Sequence, residues 1–214
     1  MTGLVRKATL LVVLGLVAAV CVATAGIPYV PNCTIPAYIN LVGCNGVGVV
    51  DPYGAFIVTV KDIGNFPVIG SVVSVSFNTD VKIYDGGFPE FVSCQVAQAV
   101  TNVSGVATFA GIPGAGRGGV YTGAAAAAIS ADGYSLGTAH VSTPDENGGG
   151  SGTLGVEIGD LGAWATDYKN AASPPVMRRS DFNNLGTVEI GDLGRWATIY
   201  KSEASASDCG ALCP

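Results

Sequence analysis

The chain has 214 residues, of which 12% are charged, with a formal net charge of −6 and an isoelectric point near 4.5. That acidic balance argues against a nucleic-acid binder, whose affinity rests on basic patches laid over phosphates. Scarce charge, 31 glycines and 49% hydrophobic residues suit β structure with tight turns rather than a helical bundle.

The first 25 residues read as an export leader. Arg6 and Lys7 precede a nearly unbroken apolar run over 8–22, which ends in Ala23-Thr24-Ala25. Signal peptidase accepts that small-x-small ending, and the run is shorter than the roughly 20 residues a membrane span needs. Cleavage is expected after Ala25, so that the mature chain starts at Gly26. Val20, before Cys21, is not the small residue that a lipid-attachment site carries. Losing Arg6 and Lys7 takes the formal charge from −6 to −8 over the remaining 189 residues. No later segment is apolar enough to span a membrane, and the chain is expected to be secreted or held at the cell surface.

Five cysteines follow the leader: Cys33, Cys44, Cys94, Cys209 and Cys213. Exported chains form disulfides, but an odd number leaves at least one thiol over or pairing between chains. Cys209 and Cys213 are close enough in sequence to pair with each other. Cys33, Cys44 and Cys94 allow at most one bridge among them. Zinc is disfavoured, because His140 is the only histidine and no Cys-x-x-Cys pair exists.

Residues 26–36 form a short extension rich in proline and apolar side chains. Over 37–143, apolar runs alternate with turn residues. Strands are expected at 38–44, 55–60, 71–77, 81–84, 94–100, 106–109, 119–130 and 135–142. Asn45-Gly46, Asp51-Pro52, Gly64-Asn65, Asp85-Gly86-Gly87, residues 102–105 and Asp132-Gly133 supply the turns. Five alanines at 124–128 favour helix by propensity. Turns on both sides favour strand, which is the expectation adopted. Regular short strands of this kind predict an antiparallel β-sandwich. The strings FIVTVKDIGNFPVIG (56–70) and TNVSGVATF (101–109) carry a resemblance to bacterial Ig-like domains of the invasin type. The resemblance covers roughly 37–142 and implies a spacer or adhesive module.

The C-terminal third contains a duplication. VEIGDLGAWATDYK (156–169) recurs as VEIGDLGRWATIYK (188–201), so Asp160 matches Asp192 at an offset of 32. Leu161, Trp164, Ala165 and Tyr168 share one helical face, as do Leu193, Trp196, Ala197 and Tyr200. Both tryptophans are expected in a core between two helices, and the tyrosines with them.

DFNNLGTVEIGD (181–192) has the register of a twelve-residue calcium loop. Asp181, Asn183, Thr187 through its carbonyl, Glu189 and Asp192 stand at positions one, three, seven, nine and twelve. Gly186 takes the sharp turn at six and Val188 the apolar position eight. Calcium needs hard oxygen donors grouped in this way to replace its hydration shell. In the first copy, Asp145, Asn147, Glu157 and Asp160 occupy the corresponding start and exit positions. Two loops, each followed by a helix and closed by Asp at position twelve, resemble a dockerin over roughly 144–201. The resemblance implies a calcium-dependent module that docks to a cohesin-like partner and attaches an exported protein to a larger assembly.

Three features depart from that pattern. Leu185 stands at position five in place of an oxygen donor. Four extra residues within 148–153 lengthen the first loop. Ile158-Gly159 and Ile190-Gly191 replace the Ser-Thr pair with which dockerins contact cohesin. Weak metal binding and a non-standard protein partner, including a second copy of the chain, follow as expectations. If the loops hold no metal, Asp160 and Asp192 become helix N-caps.

The expected organisation is thus mainly β: an Ig-like sandwich over 37–143, a small α-helical loop-helix pair over 144–203 with repeats at 144–169 and 180–201, and a tail over 204–214 with the cysteine pair. No catalytic constellation stands out. His140 has no Gly-x-Ser-x-Gly elbow beside it, and no phosphate-binding Gly-rich loop occurs. The chain is therefore expected to be a non-catalytic attachment or scaffold protein. A carbohydrate-binding or hydrolase-associated module with a docking appendage is the second reading, with Tyr53, Phe88, Phe91, Tyr121 and Tyr134 as candidate sugar-stacking aromatics. A subunit of an extracellular filament is the third.

Overall fold

The computed structural model describes residues 26–42, 54–78, 81–83, 95–116, 126–144, 146, 158–170, 178–183 and 185–202. It is mainly β. Among the described residues nine strands precede two α-helices: β1 (Tyr38–Val42), β2 (Phe56–Thr59), β3 (Val72–Phe77), β4 (Val81–Ile83), β5 (Val96–Val100), β6 (Val106–Phe109), β7 (Ile112–Gly116), β8 (Ala127–Ala131), β9 (Tyr134–Ser142), α1 (Ile158–Asn170) and α2 (Ile190–Ser202). The leader, Cys44, Cys94, Cys209 and Cys213 lie outside the described residues. So do Tyr53, Phe88, Phe91 and Tyr121.

Seven strands form one sheet in the order β4-β7-β1-β9-β8-β3-β5, and β2 pairs with β6 separately. Period-two alternation decides which face is buried. In β3, Val73, Val75 and Phe77 are buried, and in β8 so are Ala127, Ile129 and Ala131. These join Val58 beside Val60, Ala107 and Phe109 of β6, and Ala139 and Val141 of β9 in one apolar cluster. Both sheets therefore contribute to the same core. Phe56 stacks on Phe109 with centroids 4.6 Å apart, locking the β2–β6 pair.

The sheet corrects the expected purely antiparallel arrangement. β1 runs parallel to both its neighbours, pairing Tyr38 with His140 in β9 and Leu41 with Ile112 in β7. No hairpin joins β1 to either strand, so no turn fixes its direction. β7 was not anticipated, because IPGAG is too rich in glycine to read as a strand. The expected strand over 119–130 is observed only from Ala127, and 119–125 lie outside the described residues. Ala127 and Ala128 do adopt strand. Paired on both sides by β3 and β9, with Ala127, Ile129 and Ala131 buried, the segment is held as strand against its helical propensity.

The strings 56–70 and 101–109 meet at one end of the unit. Gly70 N donates to Thr101 O at 3.0 Å, and Thr101 N donates to Ser71 O at 2.9 Å. Thr101 Oγ1 donates to Val68 O at 2.6 Å and accepts from Ser71 N at 2.8 Å. Asn102 Oδ1 accepts from Ser104 N and Val106 N, closing the next turn. That turn needs glycine at 105, where φ is +72° and a Cβ would stand 2.5 Å from Val60 O.

The 26–36 extension is laid against the chain's own strands. Tyr29 N donates to Lys61 O, and Thr34 and Thr59 exchange both backbone bonds. Ile35 reaches Gly137 of β9, where a Cβ would stand 2.7 Å from Ile35 Cδ1. Cys33 is a free thiol against the carbonyls of Tyr29 and Lys61. His140 sits in β9 and stacks on Tyr38 at 5.6 Å.

Gly105→Ala is expected to destabilise the protein by on the order of 2 kcal/mol, from strained φ and the Val60 collision together. Urea unfolding checks this, as a lower midpoint at unchanged slope.

Candidate functional site

Neither helix is well supplied with helix formers. Gly159 and Gly162 lie in α1, Gly191 and Gly194 in α2, and each interior glycine costs up to about 1 kcal/mol relative to alanine. Tertiary packing supplies what propensity does not. Trp164, Trp196, Phe182 and Val188 form a buried cluster, with Leu161, Ala165, Leu193 and Ala197 packed against it. The expected tryptophan core is present. The tyrosines correct the expectation: Tyr168 and Tyr200 are 45% and 41% exposed, each stacked on the tryptophan one turn earlier at 5.2 and 5.0 Å.

Thr143 N donates to Arg179 O at 3.1 Å, and these residues stand at equivalent places just before the two loops. Their offset is 36, against 32 for the loop exits Asp160 and Asp192. The difference of four matches the lengthening of the first loop. This bond also ties the helical unit to the end of β9. Asn40 of β1 adds Nδ2–H···O=C to Phe182 at 3.3 Å, and Trp196 Nε1 donates to Pro144 O at 3.2 Å.

The second loop, over 181–192, is closed by hydrogen bonds among its own residues. Gly186 has φ +89°. Asp181 accepts from Leu185 N through Oδ1 at 3.0 Å and from Gly186 N through Oδ2 at 2.7 Å. Asn183 Oδ1 accepts from Leu185 N at 3.1 Å, and Asn183 Nδ2 donates to Glu189 Oε1 at 3.1 Å. Asp192 receives Asn183 N at 3.0 Å and Glu189 N at 2.7 Å. Five loop donors thus converge on the side-chain oxygens at positions one, three, nine and twelve. Burial holds the Asp192 carboxyl above the usual carboxylate range despite these bonds, and the like charge of Asp181 adds to the effect. Leu185, at position five, is 69% exposed and offers the loop no oxygen donor from its side chain. Thr187 is exposed, with its backbone in a bend.

The donors are hard oxygens in the order a calcium loop uses, which fits that ion in type. They fit less well in number. Among the described residues no three histidine, cysteine, aspartate or glutamate groups are close enough to hold a metal together. Asp160 and Asp192 are also not N-caps. Both helices begin two residues earlier, at Ile158 and Ile190, and Asp192 reaches back from the first turn to the Glu189 amide. A Cβ at Gly191 would stand 3.0 Å from Asn183 Nδ2 and 3.1 Å from Glu189 Oε1, so a side chain there would have to displace those groups by a few tenths of an ångström.

In the first loop, Asp145, Asn147 and Glu157 lie outside the described residues, and Asp160 is fully buried in the first turn of α1. The acids brought together near it were not singled out in the sequence. Arg179 donates to Asp167 through Nε at 2.6 Å and a terminal nitrogen at 2.8 Å. Ser180 Oγ lies 2.6 Å from both Glu146 Oε1 and Asp167 Oδ2. A hydroxyl has one proton, so one of those carboxyls must supply the second. Glu146 is that group. Burial pushes its carboxyl up to about 8, with Asp167 and Asp160 adding like charge against the opposing pull of Ser180 and Arg179. Its Oε2 has no hydrogen-bond partner among the described residues and faces Arg179 Nε at 3.5 Å. The sequence held one signal for this network: at the places of Glu146 and Asp167 the second repeat has Phe182 and Ile199, and at the place of Arg179 the first has Thr143.

A carboxyl whose pKa is higher folded than unfolded binds its proton more tightly in the folded state. The stability linked to Glu146 is therefore complete below about 4.5 and is lost as pH rises toward about 8. Glu146→Gln keeps the shape without the titration. The variant is expected to flatten the fall in melting temperature between pH 5 and 8, and to be the more stable form at pH 8 by on the order of a few kcal/mol. Thermal melts across that range check it.

Compared with protein-family models, with curated proteins and with solved structures, the chain matches none.

Proposed function

We propose that this chain is an exported, non-catalytic attachment protein in which an Ig-like β-sandwich carries a dockerin-like, calcium-responsive docking module. The observation that carries the reading is the repeated helix surface. Ile158 and Ile190, at equivalent places, are 67% and 66% exposed. Gly162 and Gly194 follow one turn later, with open space where a Cβ would be. Thr166 and Thr198 come next, each returning its hydroxyl to the glycine carbonyl at 2.9 Å. Two copies of one apolar, low-relief surface on one small unit suit a protein partner that reads either helix.

The partner differs from a cellulosomal cohesin, since the exposed isoleucines replace hydroxyl donors. The chain's own residues supply the rest. The tryptophan cluster holds the two helices together, and the Thr143–Arg179 bond fixes them to the β unit. Asp181 and Asp192 place two buried acids inside the second loop. Calcium, when bound, supplies the positive charge that those acids lack and so stiffens the start of α2. The β unit serves as spacer, at the cell surface or in an extracellular assembly. The non-catalytic reading rests on the clustered acids, which are engaged in the loop and in the Glu146 network.

The helix surface is tested with single and double variants. The mature chain, tethered by its β unit, is used to capture protein from the exported and cell-surface fraction in calcium-containing buffer. Ile158→Asp and Ile190→Asp alone are expected to reduce capture about twofold or less, because the other helix remains. The double variant is expected to abolish it. Equal capture by the double variant, with its fold intact by circular dichroism, contradicts the reading. Sedimentation of the purified chain shows whether the partner is a second copy.

A further inference from the structure

Gly26 lies against a carboxylate that it does not yet use. A Cβ built on it would stand 2.8 Å from Asp62 Cβ and 2.9 Å from Asp62 Oδ2. Standard backbone geometry then places the Gly26 nitrogen no further than about 5.4 Å from that oxygen. Asp62 itself is held firmly. Its amide donates to Phe66 O at 2.9 Å, its Oδ1 accepts from Phe66 N at 2.9 Å, and its carbonyl accepts from Asn32 Nδ2 at 2.7 Å. Within that turn Oδ2 is the oxygen left to face Gly26.

The sequence places the peptidase cut at the bond before Gly26. In the uncut chain that nitrogen is a neutral amide. Hydrolysis adds water across the Ala25–Gly26 bond, leaving a carboxylate on Ala25 and an ammonium on Gly26. We propose that the freed Gly26 ammonium pairs with Asp62, so that leader removal creates the last anchor of the 26–36 strap. The proposal rests on the export reading above. It assigns Asp62 as the acceptor of the new amino terminus, and it explains why glycine follows the cut: any side chain there would collide with Asp62.

The pairing couples processing to the fold. The strap joins β2 through the Thr34–Thr59 bridge and β9 through Ile35, so it spans both sheets. An amino terminus tied to the Asp62 turn prevents the strap from fraying at its open end. Before cleavage the same end is continuous with the leader and has no charge to offer.

The test uses the full mature chain, released from a fusion by a protease that leaves Gly26 free. Nα-acetylation of that chain is expected to lower its melting temperature by roughly 1–4 °C, the range of a surface ion pair in a chain of this size. Asp62→Asn keeps an oxygen for Phe66 N and removes the charge. It is expected to lower the melting temperature by a similar amount, and acetylation of that variant is expected to cause no further fall. An equal fall on acetylation with and without Asp62, or none in either, overturns the pairing and leaves the export reading standing. Amino-terminal sequencing of the exported protein is expected to read Gly-Ile-Pro-Tyr. A different start overturns the export reading and the proposal with it.

Discussion

The helical unit depends on the apolar clasp of Trp164, Trp196, Phe182 and Val188. Each helix is 13 residues long and carries two glycines, too short and too glycine-rich to persist alone in water. The indole rings supply the buried area that makes them helices at all. The clasp also sets what is left outside. Because Trp164 and Trp196 face inward, Ile158 with Gly162 and Ile190 with Gly194 are turned to solvent as equivalent surfaces. The same packing draws Val188, and with it the second loop, against the core. Phe182 links the clasp to the β unit through its carbonyl and Asn40.

Duplication made two similar halves, and the buried polar network made them different. The first half has Thr143, Glu146 and Asp167 where the second has Arg179, Phe182 and Ile199, so the network takes its acids from one half and its guanidinium from the other. A buried ion network rarely adds net stability over apolar side chains of similar volume. Its effect here is directional. The Arg179 guanidinium and the Ser180 hydroxyl reach their acids only when the second repeat follows the first across the end of β9. One carboxyl then has to stay protonated, and Glu146, buried beside two other acids, fills that place. Trp164 carries a related asymmetry. Its indole nitrogen has no acceptor among the described residues, while that of Trp196 bonds Pro144.

Local chemistry was legible in the sequence, and long-range pairing was not. The turn at Asn102–Gly105 and the sharp bend at Gly186 follow from residues that tolerate positive φ. The tryptophan core follows from helical spacing. Both had visible local causes. The parallel placement of β1 had none, because nothing in YINLV says which strands flank it or in which direction. β7 was hidden by its glycines. At the candidate site, the loop register could be read from Asp181 to Asp192. Glu146 could not, since a single acid beside two expected ligands looks like solvated charge until burial is known. The exposed tyrosines show the limit of periodicity: Tyr168 and Tyr200 share the tryptophans' face but lie a full turn beyond the core.

The central claim is that the second loop answers to calcium and that the helical unit answers with it. Calorimetric titration of the mature chain with calcium, paired with thermal melts in calcium and in chelator, tests it most directly. The account predicts a heat of binding that Asp181→Ala abolishes, together with a melting temperature raised in calcium, because an ion that binds only the folded loop stabilises it. No heat, with superimposable melts in calcium and chelator, would contradict it and leave the loops as hydrogen-bonded turns leading into a structural helix pair.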